Sequence, residues 1–203
     1  MEKWVVTAKK ADFQGISRKY GIDPVIARII RNRDITSDEE INQYLNGTLS
    51  DIPSWKLLKD IDKAVEIISE KIDQGTRMRI IGDYDIDGVT ATYILLKGFR
   101  RLGANADTYI PDRIADGYGI HEHLIERAVE DGIDVIVTCD NGIAAYNEIK
   151  MAKDKGMTVI VTDHHEIPYK ETEKGRELIL PPADAIVNPK QPDCSYPEKR
   201  LCG

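Results

Sequence analysis

Three short runs of the sequence concentrate side chains that bind cations and handle phosphate: Gly82-Asp83-Tyr84-Asp85-Ile86-Asp87-Gly88, Asp140-Asn141-Gly142 and Asp163-His164-His165-Glu166. Three carboxylates within five residues repel one another, and they titrate above the usual carboxylate range unless a cation neutralises them. Aspartate and histidine donors suit Mg²⁺ or Mn²⁺, with the imidazole tilting the choice toward Mn²⁺. No soft cysteine ligand belongs to the clusters, so a structural zinc site is not expected. Two such ions sharing a bridging carboxylate, about 3.5 to 4 Å apart, generate a hydroxide near neutral pH and clamp a phosphoryl group for in-line displacement. The expected reaction is phosphoester hydrolysis.

Each run has a simpler reading. Asp83-x-Asp85-x-Asp87-Gly88 also opens like an EF-hand loop, but such a loop needs Glu at its twelfth position and Ile94 stands there. Asp85-x-Asp87-Gly88-Val89-Thr90 resembles the aspartate-nucleophile motif of haloacid-dehalogenase phosphatases. That motif follows its strand directly, whereas Gly82-Asp83-Tyr84 intervenes here, and the strand-terminal Asp-His-His has no place in it. Asp140-Asn141-Gly142 alone is an ordinary turn. Only the combination is specific. His121 and His123 lie at a helix start, where residues two apart point to different faces, and are read as surface residues.

The elements that must position these clusters are strands alternating with helices. Candidate strands are residues 78–81, 107–110, 135–138, 158–162 and 185–187, with helices near 88–102, 120–131 and 143–155. This order predicts βαβ crossovers and a parallel sheet with helices on both faces, an α/β Rossmann-like architecture. In such a sheet ligands bind beyond the carboxyl ends of the strands, where all three clusters fall. The lysine- and glutamate-rich segment 169–177 reads as a solvated loop.

Residues 1–54 read as a small helical segment, followed by a catalytic domain over 55–203. Asp23-Pro24 starts a helix carrying Val25, Ile26, Ile29 and Ile30 on one face until Asn32. A second helix follows, with Thr36/Glu39 or Ser37/Glu40 at capping-box spacing and a stop at Gly47. A third carries Ile61, Ala64, Val65, Ile68 and Ile72 and closes at Gly75.

The 203 residues carry a formal charge of −7. Residues 1–82 hold 14 basic and 13 acidic side chains, whereas residues 83–203 hold 14 and 22, so the acidity lies wholly in the second part. This excludes a simple basic DNA-coating protein. Three cysteines without CxxC spacing exclude a disulfide framework or zinc ribbon. No apolar run reaches the roughly 18 residues of a membrane span, and Met1-Glu2-Lys3-Trp4 lacks a signal-peptide core, so a cytoplasmic location is expected. Five of the second part's carboxylates, Asp83, Asp85, Asp87, Asp140 and Asp163, belong to the three clusters. Two divalent cations would turn this acidic edge into one that attracts phosphate.

Residues 82–91, Thr138-Cys-Asp-Asn-Gly142 and Thr162-Asp-His-His-Glu166 resemble successive motifs of the DHH phosphoesterase superfamily. Asp83-Tyr-Asp-x-Asp87, residues 111–119, Asn188-Pro-Lys190 and Leu201-Cys-Gly203 are similar to its RecJ branch, the 5′-to-3′ single-stranded-DNA exonucleases. Related branches carry a His four residues before the first ligand Asp, where this chain has Ile81. The resemblance implies two divalent cations, Mn²⁺ preferred or Mg²⁺, held by Asp85, Asp87, Asp140 and His164, with Asp140 as bridge and catalytic group. It makes Asp83 and Asp163 auxiliary, His165 a catalytic contact to the scissile phosphate, and Arg113 and Tyr118 contacts to the DNA. The implied partners are single-stranded DNA, a single-stranded-DNA-binding protein and a helicase, with no membrane, in recombination and repair. It further implies a last ligand Asp and a second domain after Leu-Cys-Gly, so the chain reads as a fragment with an incomplete site. A non-catalytic DHH-fold DNA-binding or scaffold module is the alternative, and a haloacid-dehalogenase-like phosphatase the more distant one.

Overall fold

The computed structural model describes residues 10–173 and 175–202. Met1–Trp4, Lys174 of the charged segment and Gly203 of the Leu-Cys-Gly element lie outside the described residues. The chain divides into two compact units between Pro53 and Ser54.

The first unit contains α1 (Phe13–Tyr20), α2 (Pro24–Asn32) and α3 (Asp38–Asn46). Local chemistry fixes their ends. Asp12 Oδ1 accepts the Gly15 N–H at 2.7 Å, Gly21 adopts the left-handed conformation that ends α1, and Asp23 caps α2 ahead of Pro24. Of the two capping boxes the sequence offers, Ser37 with Glu40 forms: Glu40 N donates to Ser37 Oγ at 3.1 Å, and Ser37 N donates to Glu40 Oε2 at 3.0 Å. The expected apolar stripe of α2 is only partly buried. Ala27 and Ile30 are enclosed, whereas Val25, Ile26 and Ile29 are exposed, so the buried face is narrower than the run of apolar residues.

The second unit runs α4 (Ile61–Asp73), β1 (Arg77–Ile81), α5 (Ile86–Arg101), β2 (Asn105–Tyr109), α6 (Glu122–Glu130), β3 (Val135–Cys139), α7 (Tyr146–Asp154), β4 (Thr158–Thr162), β5 (Tyr169–Thr172), β6 (Gly175–Leu178) and β7 (Ala185–Val187). Five strands form one parallel sheet in the order β2-β1-β3-β4-β7. Period-2 alternation sorts the side chains onto its two faces. Met78, Ile80, Val135, Val137, Ile160 and Ala185 pack with Ala64 of α4 and Phe99 of α5. Ile81, Ile136, Val159, Val161 and Ile186 pack with Ile125 of α6 and Ile149 of α7. Both faces are therefore covered, which is why these strands read as continuous apolar runs.

Helices α6 and α7 start two and three residues later than the sequence reading, at Glu122 and Tyr146, and three further elements differ from it. Strand β2 begins two residues early, at Asn105, because an edge strand tolerates polar residues. Its Asp107 pairs with Arg79 of β1 through two bonds of 2.8 Å, and Arg79 also reaches Asp131 at 2.9 Å. Helix α5 begins at Ile86 rather than Gly88, because Asp85 caps it. The segment read as a plain loop contains an antiparallel pair, β5 with β6, and the residues of both strands are exposed. Cross-strand charge pairs, Lys170 with Glu177 and Arg176 with Glu171, both at 3.1 Å, replace the apolar alternation that would have marked a strand.

The central sheet should carry the unit's stability and the hairpin little of it. Ile160→Ala, at a fully buried position, is expected to cost about 2 to 5 kcal/mol in urea unfolding, against less than about 0.5 kcal/mol for Arg176→Ala.

Candidate metal centre

The strand order brings the three clusters together. β1, β3 and β4 lie side by side and parallel, so the residues after Ile81, Cys139 and Thr162 emerge at one edge. The chain runs from β1 outward to β2 and returns to β3 on the other side, and the crevice between β1 and β3 is the switch point where α/β sheets bind ligands.

Backbone geometry then aims each carboxylate. After β1, the loop carrying Asp83 lies against the first turn of α5, and Gly88 makes this approach possible. A Cβ there would stand 2.5 Å from both the backbone N and O of Asp83. Asp85 caps the same helix, its Oδ1 accepting the Gly88 N–H at 3.0 Å. After β3, Asp140 takes the left-handed conformation at φ 60°, held by its N–H to the Thr162 carbonyl at 3.1 Å. Gly142 follows at φ 103°, where a Cβ would meet Thr138 Oγ1 at 2.6 Å.

Two groups of donors result. Asp83, Asp85 and Asp140 form one, and Asp140, His164 and His165 the other, with the donor atoms of each group within 4.8 Å of one another. Asp140 is common to both. Its Oδ1 meets His164 Nε2 at 2.7 Å, while its Oδ2 is buried with no hydrogen-bond partner among the described residues. Both oxygens of Asp83 are likewise buried and without partner, and so are both side-chain polar atoms of Asn141. Buried carboxylate oxygens without donors are costly, and a hard divalent cation fits them: it would satisfy several at once. The electrostatics agree. Burial pushes the Asp83 carboxyl up, and burial, reinforced by Asp85, raises Asp140 from 3.8 to about 6 despite His164. The Gly88 N–H holds Asp85 below the usual range.

Other residues singled out by the sequence take different places. Asp163 stands outside both donor groups, and the protein itself engages both its oxygens. Oδ1 accepts from His164 N, His165 N and His165 Nδ1 at 2.7, 3.0 and 2.7 Å, and Oδ2 from Ile143 N at 2.9 Å. Asp87 sits half-buried in the first turn of α5, outside both groups. Tyr118 reaches His165 Nε2 with its hydroxyl at 3.0 Å. Burial and the nearby carboxylates, Asp163 foremost, push its phenol up, so it is a hydrogen-bond donor. Arg113 is exposed, its guanidinium 5.1 Å from the centre of the Tyr84 ring.

Sequence reasoning missed four contributors. Tyr84, between two of the aspartates, packs edge-on to Tyr118 at 6.4 Å, and its position inside the Asp-Tyr-Asp run was the available signal. Asn141 was passed over as a turn residue. His121 and His123 do not point to different faces: His121 precedes α6 in an extended conformation, so the two rings stack at 5.9 Å. His121 Nε2 is buried, and His123 Nε2 pairs with Asp116 at 2.9 Å, tying α6 to the segment that carries Arg113 and Tyr118.

The raised Asp140 carboxyl makes a signed prediction. Between about pH 4 and pH 6 the folded chain holds a proton there that the unfolded chain has released, so this residue lowers stability as pH rises through that window. In chelator, Asp140→Asn should therefore gain on the parent between pH 4 and pH 7, by on the order of 2 kcal/mol in urea unfolding. A difference that does not change with pH would contradict the assignment.

The comparisons with known proteins point the same way. The family model described as DHH family, N-terminal domain, matches residues 77–203. The single-stranded-DNA-specific exonuclease RecJ of Bacillus subtilis is 37% identical over 202 residues, which is 99% of this chain and 25% of that protein. RecJ of Escherichia coli is 37% identical over 183 residues, 90% of this chain and 30% of the relative. Among solved structures, exonuclease RecJ bound to manganese aligns with a TM-score of 0.59 at 36% identity, covering 70% of this chain and 35% of that one. RecJ of Thermus thermophilus in complex with Mn²⁺ aligns at 0.59 and 30% identity, covering 92% of this chain and 24% of that one. The chain thus spans 25% and 30% of the length of the first two curated relatives. With its strand-end carboxylates, its Asp-His-His and this match over residues 77–203, the chain belongs to the DHH family.

Proposed function

We propose that this chain forms part of a metal-dependent 5′-to-3′ exonuclease that degrades single-stranded DNA in recombination and repair. The observation that carries the reading is the set of buried, unpartnered oxygens on Asp83 and Asp140, assembled with Asp85 and His164 in a chain similar to manganese-bound RecJ. Asp85, Asp140 and His164 would hold a pair of Mn²⁺ or Mg²⁺ ions, Asp140 being common to the two donor groups; the family resemblance adds Asp87, in the first turn of α5, which lies outside both groups here. Asp83, whose oxygens are free and buried, belongs with these ligands more closely than its auxiliary assignment implied. Bound there, the ions would lower the pKa of a water and neutralise charge on the phosphoryl group.

The chain's own side chains do the rest. Asp163 fixes the His165 ring, and the reading makes His165 a contact to the scissile phosphate. The exposed Arg113 fork binds a DNA phosphate, and the exposed Tyr118 ring lies where a terminal nucleotide would meet it. The same reading assigns a single-stranded-DNA-binding protein and a helicase as partners and the cytoplasm as location. Among the described residues, no helix is long and apolar enough to cross a membrane.

The test uses the full-length gene product with Mn²⁺ on 5′-labelled single-stranded and duplex DNA. Cleavage of the single strand alone is expected, falling at least about a hundred-fold in Asp85→Ala and in His164→Ala. Unchanged cleavage in both variants would refute the site. Loss of DNA hydrolysis with activity kept on small phosphomonoesters would refute the substrate class.

A further inference from the structure

Arg113 is an exposed side chain on a fixed stretch of backbone. Asp112 Oδ1 accepts the N–H groups of Ile114 and Ala115, both at 2.8 Å, and Asp116 Oδ2 accepts the Asp112 N–H at 2.7 Å. Asp116 Oδ1 in turn pairs with His123 of α6 at 2.9 Å, which anchors the turn. These bonds fix the main chain around Arg113 and leave its side chain free, and few side chains have more rotamer freedom to lose than arginine.

A ring from the carboxylate loop supplies the missing restraint. Among the described residues the Arg113 guanidinium makes no hydrogen bond and no ion pair; it stands over the Tyr84 ring, 5.1 Å from the ring centre. Tyr84 lies between Asp83 and Asp85 and is half-buried. The Tyr118 ring stands edge-on to it at 6.4 Å, so two side chains of the 112–118 segment meet one ring of the loop. The charges agree with this placement: burial pushes the Asp83 carboxyl up, and the positive charge of Arg113 opposes that rise.

The kind of contact matters for what the arginine can do next. A carboxylate would also order the guanidinium, but it would take the donors and the charge that a phosphate needs. A ring face draws only on the delocalised charge, and all five N–H groups stay available. We infer that Tyr84 is a positioning residue for Arg113, seating its guanidinium at the carboxylate edge with every donor free for a backbone phosphate of single-stranded DNA. The inference rests on the exonuclease reading, which makes Arg113 a contact to DNA, and adds to it a role for Tyr84. An arginine ordered beforehand gives up less freedom when the strand arrives, so the effect falls on binding.

Tyr84→Leu and Tyr84→Phe isolate the ring. In the full-length gene product with Mn²⁺ and 5′-labelled single-stranded DNA, Tyr84→Leu is expected to lower kcat/KM about two- to five-fold through KM. Tyr84→Phe is expected to recover the loss, because a phenyl face also holds a guanidinium. Arg113→Ala should lower kcat/KM further and reduce the slope of its logarithm against log salt by about 0.7, the share of one phosphate on a single strand. Tyr84→Leu added to Arg113→Ala should then cost nothing more. The Mn²⁺ concentration that gives half-maximal rate should not move in Tyr84→Leu. Losses that add in the double variant would overturn the inference and make the ring a direct contact to DNA. A raised Mn²⁺ requirement would overturn it by showing that the ring supports the carboxylate loop instead, and an equal loss in Tyr84→Phe would assign the effect to the hydroxyl. No cleavage of single-stranded DNA by the unmutated protein would overturn the exonuclease reading and the inference with it, whereas the other outcomes overturn the inference alone.

Discussion

Everything at the carboxyl edge of the sheet depends on how buried negative charge is satisfied. Asp83, Asp140 and Asp163 are all buried there, yet the protein treats them differently. Asp163 is fully provided for by three backbone N–H groups and the His165 ring. Among the described residues, neither oxygen of Asp83 has a well-formed hydrogen bond, and Asp140 has His164 at one oxygen and none at the other. A carboxylate saturated by protein donors is a structural fixture, whereas one left bare in a dry site needs a cation or a proton. The same residue type thus splits into two roles according to the donors that the fold supplies.

The backbone makes this arrangement accessible. Gly88 lets the loop after β1 lie against α5, and Asp140 and Gly142 take positive φ to turn β3 inward. These constraints couple the site to the fold, since Asp85 is at once a candidate ligand and the cap of α5. Around this rim stand the groups suited to a polyanion: Arg113 beside Tyr84, and Tyr118 against His165. The acidity of residues 83–203 and a phosphate-bearing partner are therefore compatible, because the charge is gathered where cations would reverse its sign.

The sheet was legible in the sequence because its strands are buried on both faces and its helices are amphipathic; β4 and β7 begin and end where the apolar runs do. The edge strand β2 and the hairpin β5–β6 were harder to read, since their partners are charges rather than apolar neighbours. In α2, four apolar residues suggested a wide buried face where only Ile30 of them is enclosed, because a three-helix unit has little interior to offer. At the site, residue types and strand ends identified Asp83, Asp85, Asp140 and His164. Which carboxylates lack donors could not be read, because the donor that engages the second oxygen of Asp163 is the Ile143 N–H, which only the fold brings to it. The stacking of His121 on His123 was hidden for a similar reason: it depends on where α6 starts.

The central claim is that the bare carboxylates of Asp83 and Asp140 form a cation site, and thermal unfolding of the chelated chain across a Mn²⁺ titration tests it most directly. A ligand bound only by the folded state stabilises it by about 2.7 kcal/mol at a hundred times its Kd, so the midpoint should climb steadily with Mn²⁺. In Asp83→Asn/Asp140→Asn the climb should disappear. A midpoint that does not respond to Mn²⁺ in the parent, or responds equally in the double variant, would contradict the account.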